Sequence, residues 1–155
     1  KLLIDSAKVK VPPYLPQTTT MRRDWITAYN NLKFIDGEIG KILQALEDQK
    51  LLSNTIIIFN ADHGTGLPRS KRSTHNSGAQ VPFIVRFPDG HMKGTENKDL
   101  IYLMDMGPTI MAMYNLSIPG YMHGRDIFSN ANKRKYTYCH ADRFDVNYDM
   151  IRSVT

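Results

Sequence analysis

Thr55-Ile56-Ile57-Ile58-Phe59, running straight into Asn60-Ala61-Asp62-His63-Gly64, decides the architecture of this chain. A continuous β-branched and aromatic run has no polar face. It suits a strand covered on both sides, as in a parallel sheet. Polar residues then begin abruptly at the strand's C-terminal end, the edge at which open α/β sheets build their sites.

Upstream, Trp25, Ala28, Tyr29, Leu32, Ile35, Ile39, Ile42, Leu43 and Leu46 recur at steps of three and four, which predicts a long amphipathic helix. Thr20 or Asp24 suits its N-cap. Before it, Pro12, Pro13, Pro16 and a threonine run predict an irregular, extended entry. Downstream, residues 64–80 read as a loop rich in Gly, Ser and basic side chains, and residues 81–87 as a second apolar strand. Residues 100–116 are apolar and predicted helical in their second half, with Pro108 in the first turn. Two short strand-like pieces follow at 136–139 and 150–154. This order of elements predicts the α/β class.

At 155 residues the chain can bury a sizeable core, and 41% hydrophobic with 23% charged residues is ordinary for a globular protein. No stretch reaches the roughly 18 apolar residues of a membrane span. The net charge of +5 is spread along the chain, and Lys133-Arg134-Lys135 reads as a solvated loop with no nucleic-acid motif beside it. A positive excess also suits an anionic substrate. The single cysteine, Cys139, rules out an internal disulfide and a cysteine metal cluster, and its alternating setting predicts a buried small residue.

Asp62-His63-Gly64 is the sharpest chemical feature. Both side chains can ligate a divalent cation, and the glycine lets the backbone turn tightly. The alternative is a hydrogen-bonded Asp-His turn, and two ligands fall short of the about six to eight oxygens that Ca²⁺ takes. Lys71, in the same loop, can serve as a point charge for an anion or stand as a solvated lysine. Arg69 and Arg72 flank it, and His75 is a candidate donor to the same anion.

In order along the chain, the strand ending Asp62-His63-Gly64, the basic loop with Lys71, and Ser77-Gly78-Ala79-Gln80-Val81-Pro82-Phe83-Ile84-Val85 resemble the second half of the sulfatase catalytic core. The helix with Tyr29, Asp36 and Gly40 looks like the family's preceding helix. Asp105-Met106-Gly107-Pro108-Thr109-Ile110, Tyr121-Met122-His123-Gly124-Arg125, Asp142-Arg143-Phe144-Asp145 and Met150-Ile151-Arg152 are similar to its downstream segments. The resemblance implies an alkaline-phosphatase-like α/β sandwich with a mostly parallel central sheet flanked by helices. It also implies hydrolysis of sulfate esters or sulfamates of sulfated small molecules or glycans, with bound Ca²⁺. Asp62 and His63 would be metal ligands, and Lys71 would contact the sulfate. The family's nucleophile is a formylglycine made from the cysteine of a Cys-x-Pro-Ser-Arg motif. That motif does not occur here, since Cys139 is followed by His140-Ala141-Asp142.

The expectation is therefore a fragment of one catalytic domain, incomplete at its N-terminus. Residues from 1 to about 130 would belong to the core, and the remainder would begin the C-terminal part. The family is commonly periplasmic, secreted or lysosomal. Two other readings stay open: a phosphodiesterase or phosphonate hydrolase of the same superfamily, and a non-catalytic segment binding anionic glycans through Arg69, Lys71 and Arg72. His91, His123 and His140 show no ligand spacing, which counts against the first.

Overall fold

The computed structural model describes residues 4–131, 133–144 and 146–155, with the Phe144 side chain excepted. Asp145, part of the tail motif, lies outside the described residues. The chain is a mixture of helix and strand that forms two compact units. One runs through Ile57 and takes in Val85–His91. The other comprises Ile58–Ile84 and Met92–Thr155.

The first unit is dominated by α1, Thr19–Asp48. Its N-cap is Thr18, whose hydroxyl accepts the Met21 N–H at 3.2 Å; neither Thr20 nor Asp24 takes that place. Thr18 precedes the first helical turn, so its oxygen can reach back over the unpaired amides. The helix stops where Lys50 turns left-handed, at φ 59°, and the Leu51 N–H bonds back to the Leu46 carbonyl. The proline-rich entry lies along the start of this helix. Val9, Val11 and Leu15 are buried, and the Arg22 guanidinium donates to the Val9 carbonyl at 2.8 Å. No residue of α1 is itself buried. Trp25, Ile39, Leu43 and Leu46 of the predicted face are half-covered, while Leu32, Ile35 and Ile42 stand open.

The decisive strand is β1, Ile57–Asn60, and it pairs with β2, Phe83–Arg86, in a two-stranded sheet. The strand begins two residues later than its apolar run, because residues 52–54 form a tight turn before it. Covering on both sides does not follow. β1 is half-buried throughout, and β2 alternates, leaving Ile84 59% exposed. Among the described residues the strands make two two-stranded sheets rather than one central parallel sheet. The α/β class stands.

In the second unit, α3, Met106–Met113, follows the short helix α2, Asn76–Ala79, and begins as expected with Pro108 in its first turn. The chain closes on an antiparallel hairpin of β3, Tyr138–Phe144, and β4, Asn147–Val154. Its register runs from Tyr138↔Val154 to Phe144↔Asn147, with an irregularity between Ala141 and Arg143. β3 starts two residues later than the sequence expectation and runs five further, and β4 starts three earlier, since backbone pairing carries through polar positions that apolar patterning leaves out. Cys139 is partly rather than fully buried.

Arg134 is a correction. Far from lying in a solvated loop, its side chain is 11% exposed and paired with Asp105, which is 1% exposed. Both carboxylate oxygens are taken by the guanidinium, one of them at 2.7 Å. The Tyr102 and Arg125 amides donate to the same oxygens at 2.7 and 2.8 Å. Arg134 also lies 4.8 Å over the Tyr102 ring, and the Tyr102 hydroxyl meets the Tyr138 backbone. Arg134 thus holds the start of α3 to the segment that leads into the hairpin, and Tyr102 reaches the hairpin itself. Lys133 is likewise paired, with Asp99 at 2.9 Å.

Candidate functional site

The end of β1 releases the chain into a turn at residues 62–64, and local chemistry shapes it. The Asp62 carboxylate accepts the His63 N–H at 2.9 Å through one oxygen, and its second oxygen lies 3.4 Å from His63 Nε2. His63 Nδ1 sits 2.7 Å from the Gly64 carbonyl. A carbonyl can only accept, so Nδ1 carries the proton and donates. In the neutral ring, Nε2 is then a lone pair facing a carboxylate oxygen. Two acceptors so placed call for a proton or a cation between them.

The pair fits a divalent cation. Donors sharing an ion at roughly 2.3–2.6 Å and a right angle lie about 3.3–3.7 Å apart, and the observed separation falls in that range. A ring whose other nitrogen donates to a backbone carbonyl is also how metal-binding histidines are oriented. The Asp62 side chain is 84% exposed and that of His63 38%, so the remaining coordination sphere is accessible. No third His, Cys, Asp or Glu among the described residues completes a cluster.

The loop after this turn is built from serines and glycines. Its two ends meet at Gly64 and Gly78, where the Gly64 N–H donates to the Gly78 carbonyl at 3.0 Å. A Cβ on Gly64 would fall 2.0 Å from the Ser77 carbonyl oxygen, and one on Gly78 equally close to that of Ser70. Only glycine permits this approach. Inside the loop, the buried Ser70 donates to the Ser77 carbonyl at 2.6 Å, and the Ser77 hydroxyl donates to the Arg69 carbonyl.

Lys71 is exposed, with its N–H on the Thr65 carbonyl at 2.9 Å, and its ammonium meets no carboxylate among the described residues. Arg69 and Arg72, on either side, both hold left-handed backbone, at φ 60° and 64°. His75 is engaged on both ring nitrogens. Nδ1 lies 2.8 Å from the Ser73 hydroxyl and Nε2 3.3 Å from the Arg69 guanidinium. From the hairpin, the Ser153 hydroxyl donates to the Thr74 carbonyl at 3.1 Å.

The structure thus brings Asp62 and His63 together and encloses Lys71 and His75 in one braced loop. It joins His75 to Arg69 rather than to the Asp62-His63 pair. Sequence reasoning missed the serine scaffold, although Ser70, Ser73 and Ser77 at intervals of three and four were a signal of a self-bonded loop.

A family model described as Sulfatase matches residues 11–116. The chain is 40% identical over 154 residues to an ulvan-active sulfatase of Formosa agariphila, covering 98% of this chain and 26% of that protein. To the human N-sulphoglucosamine sulphohydrolase it is 30% identical over 119 residues, 76% of this chain and 24% of that protein. To an arylsulfatase of Clostridium perfringens it is 29% identical over 132 residues, 79% and 27% respectively. The chain therefore spans about a quarter of the length of these relatives. No helix among the described residues is long and apolar enough to cross a membrane.

Proposed function

The chain belongs to the sulfatase family, and from that footing we propose that it serves in the hydrolysis of sulfate esters or sulfamates carried by sulfated sugars. The family carries the alkaline-phosphatase-like α/β fold. In this reading the 155 residues form one stretch of a catalytic domain, about 1–130 in its core and the rest opening its C-terminal part. The relatives' greater length supports that, and β1 and β2 then belong to a larger, mostly parallel central sheet. The names of the relatives, one active on ulvan and one on N-sulfoglucosamine, support a sulfated glycan as the substrate class.

The observation that carries the reading is the Asp62–His63 pair at the end of β1. Asp62 offers a carboxylate oxygen and His63 an oriented Nε2, and together they would hold a divalent cation, Ca²⁺ by the family resemblance. When bound, such an ion offsets negative charge on the sulfate oxygens. Lys71, from the loop that follows, would add a second positive charge to hold a nonbridging oxygen as the ester oxygen departs. The nucleophile, a formylglycine in the family, is not carried by Cys139, which sits in β3 without the required motif.

The test is to assay the complete gene product on a chromogenic aryl sulfate with Ca²⁺, beside Asp62→Ala and Lys71→Ala. Loss of turnover in both variants is expected. Undiminished turnover in both would sink the assignment. Cleavage of a phosphodiester but no sulfate would retain the superfamily and reject the reaction.

A further inference from the structure

His75 has a place in the loop that the sulfate reading alone does not assign. Its Nε2 lies against the Arg69 guanidinium, which can only donate. Nε2 must therefore be an acceptor. In the tautomer that this contact calls for, the proton sits on Nδ1, which donates to the Ser73 hydroxyl at 2.8 Å. The His75 N–H returns to that same hydroxyl at 3.2 Å. One imidazole thus bridges the residue two before Lys71 and the residue two after it.

The segment it bridges is held in conformations that side-chain-bearing residues rarely adopt. Arg69 and Arg72 both have positive φ, at a cost that persists only where surroundings impose it. The surroundings are visible. The Ser77 hydroxyl fixes the Arg69 carbonyl, the Thr65 carbonyl fixes the Lys71 amide, and the Ser70 carbonyl fixes the Ser73 amide at 2.9 Å. His75 ties the side chain of Arg69 to the far side of the turn.

We propose that His75 is a positioning residue: a neutral imidazole that ties Arg69 to Ser73 and so fixes the turn presenting Lys71, without touching the sulfate group itself. This rests on the assignment of Lys71 as a sulfate contact. The charged group set against the ring is Arg69, with Lys71 and Arg72 in the same turn. The hairpin reaches this loop through an uncharged group, Ser153 on the Thr74 carbonyl.

The experiment compares the complete wild-type protein with His75→Ala and His75→Gln. Steady-state kinetics on an aryl sulfate are run at pH 8. Binding of inorganic sulfate is measured calorimetrically, and circular dichroism checks the fold. Glutamine can accept from Arg69 and donate to Ser73 without titrating. Expected is a rise in KM and in the sulfate Kd of about five- to tenfold for His75→Ala at pH 8, with kcat little changed. His75→Gln restores both values. Wild-type KM and Kd in His75→Ala overturn the proposal, as does a glutamine variant as impaired as alanine. A collapse of kcat at constant KM overturns it too, in favour of direct catalysis. If the wild type binds sulfate in a His75-dependent way yet hydrolyses no aryl sulfate, the positioning role stands and the reaction assignment falls.

Discussion

Arg134 closes on both carboxylate oxygens of Asp105 across 29 residues of sequence, and almost none of either side chain is exposed. Two backbone amides complete the shell of Asp105, so the carboxylate is fully satisfied. Removing one partner would strand the other charge away from water. Arg134→Ala should therefore destabilise the protein by roughly 3–5 kcal/mol, which urea unfolding would measure. Exchanging both residues for well-packed apolar ones should cost far less than that. A single variant with unchanged stability would show that the pair is dispensable.

A second expectation concerns Gly78. Its added Cβ would meet the Ser70 carbonyl oxygen at 2.0 Å and the Ser73 carbonyl oxygen at 2.4 Å, and neither backbone group can yield cheaply. Gly78→Ala should open the loop and weaken sulfate binding by about tenfold or more, the equivalent of roughly 1.4 kcal/mol. Gly66→Ala in the same loop meets nothing within 4 Å and should behave as wild type. Calorimetric titration with inorganic sulfate distinguishes the two.

His63 should matter for metal affinity rather than for folding. Its ring is oriented by the Gly64 carbonyl, and its second nitrogen faces Asp62. Replacement by alanine is expected to weaken Ca²⁺ binding by at least the roughly 10–100-fold typical of losing even an outer-sphere partner. The thermal midpoint without metal should move little. Equilibrium dialysis and a melting curve in chelator test the two halves separately.

The pH dependence of the turn after β2 has a defined sign. The His91 side chain, 2.7 Å from the Asp89 carboxylate, and then the His91 amide hold the Asp89 carboxyl below its ordinary value. A depressed folded-state pKa stabilises the fold above the unfolded value and loses that contribution as pH falls through the folded one. Asp89→Asn should therefore cost a little stability at neutral pH and nothing in strong acid. Because Asp89 is exposed, the difference will be small, and melting curves paired at neutral pH and in strong acid would reveal it.

How much was readable in advance depended on the distance over which each residue acts. Helix α1 and the place of Pro108 follow from local periodicity and backbone chemistry, and both were found. Asp62 and His63 share a peptide bond, so their proximity needed no tertiary information. Arg134 could not be read in this way. Its triplet has the composition of a solvated loop, and the long-range bridge between Leu100 and Arg134 sets it beside Asp105. His75 stood out as a candidate donor, but its partners became definite only once the left-handed backbone at Arg69 folded that guanidinium back toward it. The half-open state of β1 is set by which chain segments lie over it, a property of the assembly and not of five apolar residues.

The meeting of Gly64 and Gly78 carries a consequence for how such a protein diversifies. A loop tied off at its base is mechanically insulated from the strands that feed it. Exposed positions at its tip, such as Pro68, can be exchanged without disturbing β1 or β2. The two glycines keep the attachment points fixed whichever side chain stands there.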